Sequence, residues 1–63
     1  MTIDQAKTGD DLLTALASIA PDNREQALAG RGVTILREAA DLCGVDAADL
    51  GKRGAIAAIL DNF

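Results

Sequence analysis

Sixty-three residues leave room for one domain, and a chain so short buries only about 60% of the surface its unfolded form exposes. Its core must be compact or completed by a partner. Apolar residues make up 49%, but Phe63 is the single aromatic and much of the rest is alanine, so Leu, Ile and Val must build the interior. A net charge of −4, no histidine and one cysteine exclude a disulfide scaffold and any zinc or nucleophile constellation, and fit a reducing, cytoplasmic setting.

The acidic surplus lies at the front, where Asp4, Asp10, Asp11, Asp22 and Glu25 face only Lys7 and Arg24. Over residues 29–53 the charges balance, with Arg31, Arg37, Lys52 and Arg53 against Glu38, Asp41, Asp46 and Asp49. The uncharged run from Leu12 to Pro21 is too short to cross a bilayer and has no basic leader before it.

In chain order, the pattern leaves the order of residues 1–7 open. Thr8 with Asp11 three residues on has the form of a capping box, and predicts a helix start there. Leu12, Leu13, Leu16, Ile19 and Ala20 then recur at spacings of three and four, one apolar stripe that runs until Pro21 disfavours helix at Ala20. Asp22 with Glu25 repeats the cap signature and predicts a second short helix over 23–29, ended by Gly30 and Gly32. The segment Gly30-Arg31-Gly32 suits a turn, a hinge or a close backbone approach, of which the turn is the simplest.

Thr34 is the expected cap of a third helix, with Ile35, Leu36, Ala39, Ala40, Leu42 and Cys43 on its inward arc and Arg37, Glu38 and Asp41 outside. Gly44 should stop it, with Val45 folding back. Residues 46–50 read as an extended or single-turn connector that aims Leu50 at the core. A last helix is expected over about 52–62, packing Ile56, Ile59, Leu60 and Phe63, with Gly54 costing roughly 1 kcal/mol in its first turn. No β pattern competes. The fold class is all-α: a small bundle of three to four short helices, with an N-terminal helical segment over 8–30 and a helix, extended loop, helix unit over 33–63.

That second unit, Thr34-Ile-Leu-Arg-Glu-Ala-Ala-Asp-Leu-Cys-Gly-Val followed by a short connector and Lys52-Arg-Gly-Ala-Ile-Ala-Ala-Ile-Leu60, resembles the N-terminal domain of transcription termination factor Rho and the SAP and LEM-like modules. Leu36, Leu42, Gly44, Val45, Leu50, Ile56, Ile59 and Leu60 fall on the positions that form the core and turn of such modules, and Lys52 and Arg53 on their basic pair. The chain departs from them at Gly54 and Ala55, where an acidic or polar residue is common. The resemblance implies association with nucleic-acid metabolism, without the β-barrel that carries Rho's main RNA-binding element.

The residues themselves give two readings. Lys52 and Arg53 at a helix start could hold a phosphate of DNA or RNA, with Arg37 and Arg31 extending the patch. Such binding would be weak and salt-sensitive, because four cations act against ten acids and no aromatic platform is present to stack on bases. Arg37 also stands four residues before Asp41, the spacing of a helical surface pair. The other reading is an acidic interaction or regulatory protein, whose Asp10, Asp11, Asp22 and Glu25 dock on a basic protein partner or whose first-helix stripe self-associates. Cys43, among apolar neighbours, suits a structural thiol. No calcium loop, phosphate-cradling loop or catalytic set is legible, so the sequence points to neither an enzyme nor a cofactor or metal.

Overall fold

In the computed structural model, which describes residues 3–63, the chain is all-α. A single 3-10 turn over Ile3–Gln5 precedes four α-helices among the described residues: α1 (Gly9–Leu16), α2 (Pro21–Ala29), α3 (Val33–Leu42) and α4 (Lys52–Asn62). The described part of the segment left open in the sequence is thus one short turn, and Ala6 behind it is buried.

Thr8 caps α1 as expected. Its Oγ1 accepts the Asp11 amide at 3.1 Å, satisfying one of the donors that a helix start leaves free. The end of α1 differs from the expected run to Ala20. Regular helix stops at Leu16, and the amides of Ser18 and Ile19 reach back only three residues, to the Ala15 and Leu16 carbonyls at 3.1 and 3.0 Å. The tightened turn is held from outside, because the Arg24 Nε donates to the Leu16 and Ile19 carbonyls at 3.3 and 3.0 Å. A side chain of the next helix therefore closes the first.

Ala20 is extended (ψ 140), as a residue before proline must be. Helix α2 then begins on Pro21 itself, two residues earlier than expected, and Asp22 lies in its first turn instead of capping it. Proline suits that first position because its missing N–H is one that the helix could not have satisfied. Thr34 is likewise not a cap: α3 opens at Val33 after an extended Gly32 and has no side-chain cap.

Along α3, Leu36, Ala39 and Ala40 are buried, while Leu42, expected inside, is 54% exposed. At 100° per residue Leu42 falls about 110° from the middle of the buried stripe, past the edge of a face roughly 100° wide. Gly44 ends the helix as expected. Its φ of +89° is the only positive value among the described residues. Its amide bonds to the Asp41 carbonyl at 2.9 Å while the Val45 amide reaches the Ala40 carbonyl at 3.1 Å, the paired bonds of a Schellman motif.

The connector makes one turn. Asp46 Oδ1 accepts the Ala48 amide at 3.2 Å, the Leu50 amide bonds to the Ala47 carbonyl at 3.1 Å, and Ala47 is buried. Helix α3 is the hub, packed against both α1 and α4, and α2 packs on α4. The largest fully buried side chains are Leu12, Leu16, Leu28, Leu36 and Ile59, drawn from all four helices; burial of each is worth roughly 1.5–3 kcal/mol. Phe63, expected to pack inward, is 46% exposed and lies instead beneath Arg24, whose guanidinium carbon is 4.8 Å from the ring centre.

Candidate functional site

Helices α2 and α4 leave an open groove between them, of about 680 Å3, lined by Glu25, Ala29, Lys52, Arg53, Ile56, Ala57, Leu60 and Asp61. Its origin is compositional. The α2 side contributes only alanine and a carboxylate, so nothing large fills the space beside the α4 stripe.

The groove's α4 wall repeats with helical spacing: Lys52, Ile56 and Leu60 form one row at i, i+4, i+8, and Arg53, Ala57 and Asp61 the adjacent one. Cations stand at one end, apolar groups in the middle and an anion at the other, with Asp61 about 13 Å along the axis from Lys52. Glu25 follows Arg24, which covers Phe63 at the far end of α4, so the α2 carboxylate joins Asp61 at the acidic end. Lys52, Arg53, Glu25 and Asp61 are all exposed.

The start of α4 is also uncapped. Gly51 is extended and supplies no side-chain bond. The first helical bond here runs from the Ala55 amide to the Gly51 carbonyl at 2.9 Å, which leaves the amides before it pointing outward.

The four cations expected to form one patch are not equivalent. Lys52 and Arg53 line the groove. Arg37 forms no ion pair with Asp41; its Nε donates to the Leu50 carbonyl at 2.7 Å, fastening the connector to α3. Arg31 is turned the other way, toward the N-terminal segment, where its Nη atoms donate to the Ala6 and Asp4 carbonyls at 2.7 and 3.3 Å while its Nε is buried without a partner. The acids divide as well: Asp10 and Asp11 occupy the first turn of α1 and Asp22 that of α2, and only Glu25 lines the groove.

Leu12 and Leu16 of α1 are fully covered, so the first-helix stripe offers little docking surface. Cys43 is half-buried, and burial pushes its thiol pKa up, away from the thiolate that reactivity requires. Among the described residues no group of three or more Cys, Asp or Glu side chains could hold a metal ion, and no helix is long and apolar enough to cross a membrane.

The chain matches no family model, curated protein or solved structure. Sequence reasoning found the groove's two cations but missed Ala57 and Asp61; their i, i+4 relation to Arg53 was the available signal.

Proposed function

We propose that this chain is a non-catalytic protein-interaction module whose α2–α4 groove receives an amphipathic helix, with acids of the partner against Lys52 and Arg53 and bases against Glu25 and Asp61. The observation that carries this is the groove's order of charge: an apolar floor of Ala29, Ile56, Ala57 and Leu60 between a cationic and an anionic end. Apolar contact would supply affinity and the two charged ends direction. Glu25 and Asp61 in the same groove disfavour a polyanion along it, and the commitment of Arg31 and Arg37 to backbone carbonyls reduces what the chain can offer phosphates.

One observation keeps a phosphate reading as a second possibility. The uncapped first turn of α4 joins outward amides to Lys52 and Arg53, an arrangement that favours an anion, and it is the spot at which the Rho N-terminal-like and SAP-like resemblance places its basic pair. On that reading the chain contacts DNA or RNA weakly there.

Titration of the isotopically labelled chain with an amphipathic helical peptide, acidic at one end and basic at the other, tests the first reading by NMR. Shifts should concentrate on Glu25, Ala29, Lys52, Arg53, Ile56, Ala57, Leu60 and Asp61. Shifts centred elsewhere, or none, would remove it. In a parallel titration with single- and double-stranded nucleic acid at low and moderate salt, salt-sensitive binding that disappears on Lys52→Ala with Arg53→Ala would favour the phosphate contact instead.

A further inference from the structure

We infer that the groove's α4 wall is a self-association face, on which a second copy of this chain lays its own α4 antiparallel about a two-fold axis beside Ile56 and Ala57. The inference rests on the protein-docking reading above and names its partner. It comes from a symmetry in the stripe. Read from either end, the wall presents a charged step, an apolar step and a charged step of opposite sign. When two copies are laid antiparallel, Lys52 of one opposes Asp61 of the other, Arg53 opposes Leu60, and Ile56 opposes Ala57. A two-fold repeats each match, as an isologous interface requires.

The chemistry of each match is favourable. Ile56, 9% exposed, offers only its edge, so the small, exposed Ala57 lets the helices approach and half-buried Leu60 adds the apolar contact. The Arg53 stem can lie along Leu60 while its guanidinium reaches toward Asp61 and the Glu25 that lines the same groove. A parallel arrangement would set Lys52 and Arg53 against their own copies, and Asp61 against Asp61, so charge selects the antiparallel one. No residue of the stripe has to leave the core: Ile56 stays packed in its own chain beside Ala55 and Ile59, and the accessible apolar contact comes from exposed Ala57 and half-buried Leu60.

The expected affinity is modest. A standard interface covers roughly 800 Å2 per partner, about a fifth of this chain's 3847 Å2, and one short helix face supplies less than that. Association should have a Kd on the order of 0.1 mM at low salt and weaken as salt rises, because the charged matches are exposed.

Sedimentation of the full chain from about 10 µM to about 1 mM, with two charge-reversed variants, is decisive. Lys52→Glu with Arg53→Glu, and Glu25→Lys with Asp61→Lys, change only exposed positions, and circular dichroism would verify their fold. Each variant alone should associate at least tenfold more weakly than the original chain. Mixed in equal amounts they should recover association as a heterodimer, because every like-charge contact becomes an opposite one.

Net charge cannot imitate this result. Glu25→Lys with Asp61→Lys takes the chain from −4 to 0, which by itself would favour self-association. A chain that stays monomeric at about 1 mM, or variants that associate like the original, would overturn the inference. If the chain is monomeric yet the peptide still shifts the groove residues, self-association fails alone; if the peptide also leaves them unmoved, the docking reading fails with it.

Discussion

Gly9→Ala tests the close approach of α1 to α3. Gly9 opens α1, is buried, and faces α3 so closely that an added Cβ would stand 2.6 Å from the Ala39 nitrogen and 2.7 Å from the Glu38 carbonyl carbon. Both are backbone atoms inside a helix, so no side-chain rotation relieves the clash. Reaching an ordinary contact of 3.4 Å requires α1 and α3 to separate by about 0.8 Å, in an interface that also buries Leu12, Leu16, Leu36 and Ala40. Overpacking of this kind costs about 1–3 kcal/mol, and the helix preference of alanine over glycine, at most about 1 kcal/mol, recovers only part of it. A chain of 63 residues has a total stability of roughly 3–9 kcal/mol, so the loss is a large share. A melt followed at 222 nm should show Tm lowered by roughly 5–15 °C, and urea unfolding a reduced midpoint with an unchanged slope. A variant as stable as the original would refute the close approach.

Three further predictions concern single contacts. Gly44→Ala forces an L side chain to φ +89° and should cost about 1–2 kcal/mol in urea unfolding; no loss would mean that the α3 terminus rearranges freely. Arg24→Ala removes the side-chain donor from the Ile19 carbonyl, leaves the Leu16 carbonyl only the Ile19 amide, and uncovers Phe63, so it should cost about 1–2 kcal/mol, whereas Phe63→Leu, which spares the carbonyl bonds, should cost about 0.5–1 kcal/mol; equal losses would argue against the closing role of Arg24. The folded Cys43 thiol keeps its proton to higher pH than the unfolded one, so its share of stability is complete below the unfolded thiol's pKa and is lost as pH rises through the folded value. At about pH 8.5, iodoacetamide should modify the native chain more slowly than the urea-unfolded chain, and equal rates would contradict the burial.

What the sequence made legible was local. Thr8 and Gly44 act through atoms within three to five residues, so cap and stop could be read from spacing, and the apolar period located Leu12, Leu16, Leu36, Ile56 and Ile59 in the core. What it hid was set across elements. The early end of α1 depends on Arg24 reaching back to two carbonyls, and the burial of Gly9 on where α3 passes. Leu42 is apolar and so reads as inward, yet its angular position lies outside the stripe and it is exposed. At the groove, Lys52 and Arg53 are legible as a basic pair, but nothing in their spacing reveals that Glu25 of another helix lines the same groove.

Three of the four arginines, Arg24, Arg31 and Arg37, donate to backbone carbonyls that no helix satisfies. They act as fasteners between segments, a use that depends on the planar fork and not on the positive charge alone. Charge-conserving exchange should therefore divide the arginines into two kinds. Lysine at position 53 retains what the groove requires, while lysine at 24, 31 or 37 retains the charge but loses a joint. Counting cations thus overstates how basic this molecule is to a partner: most of its guanidinium groups hold the fold together, and few remain for recognition.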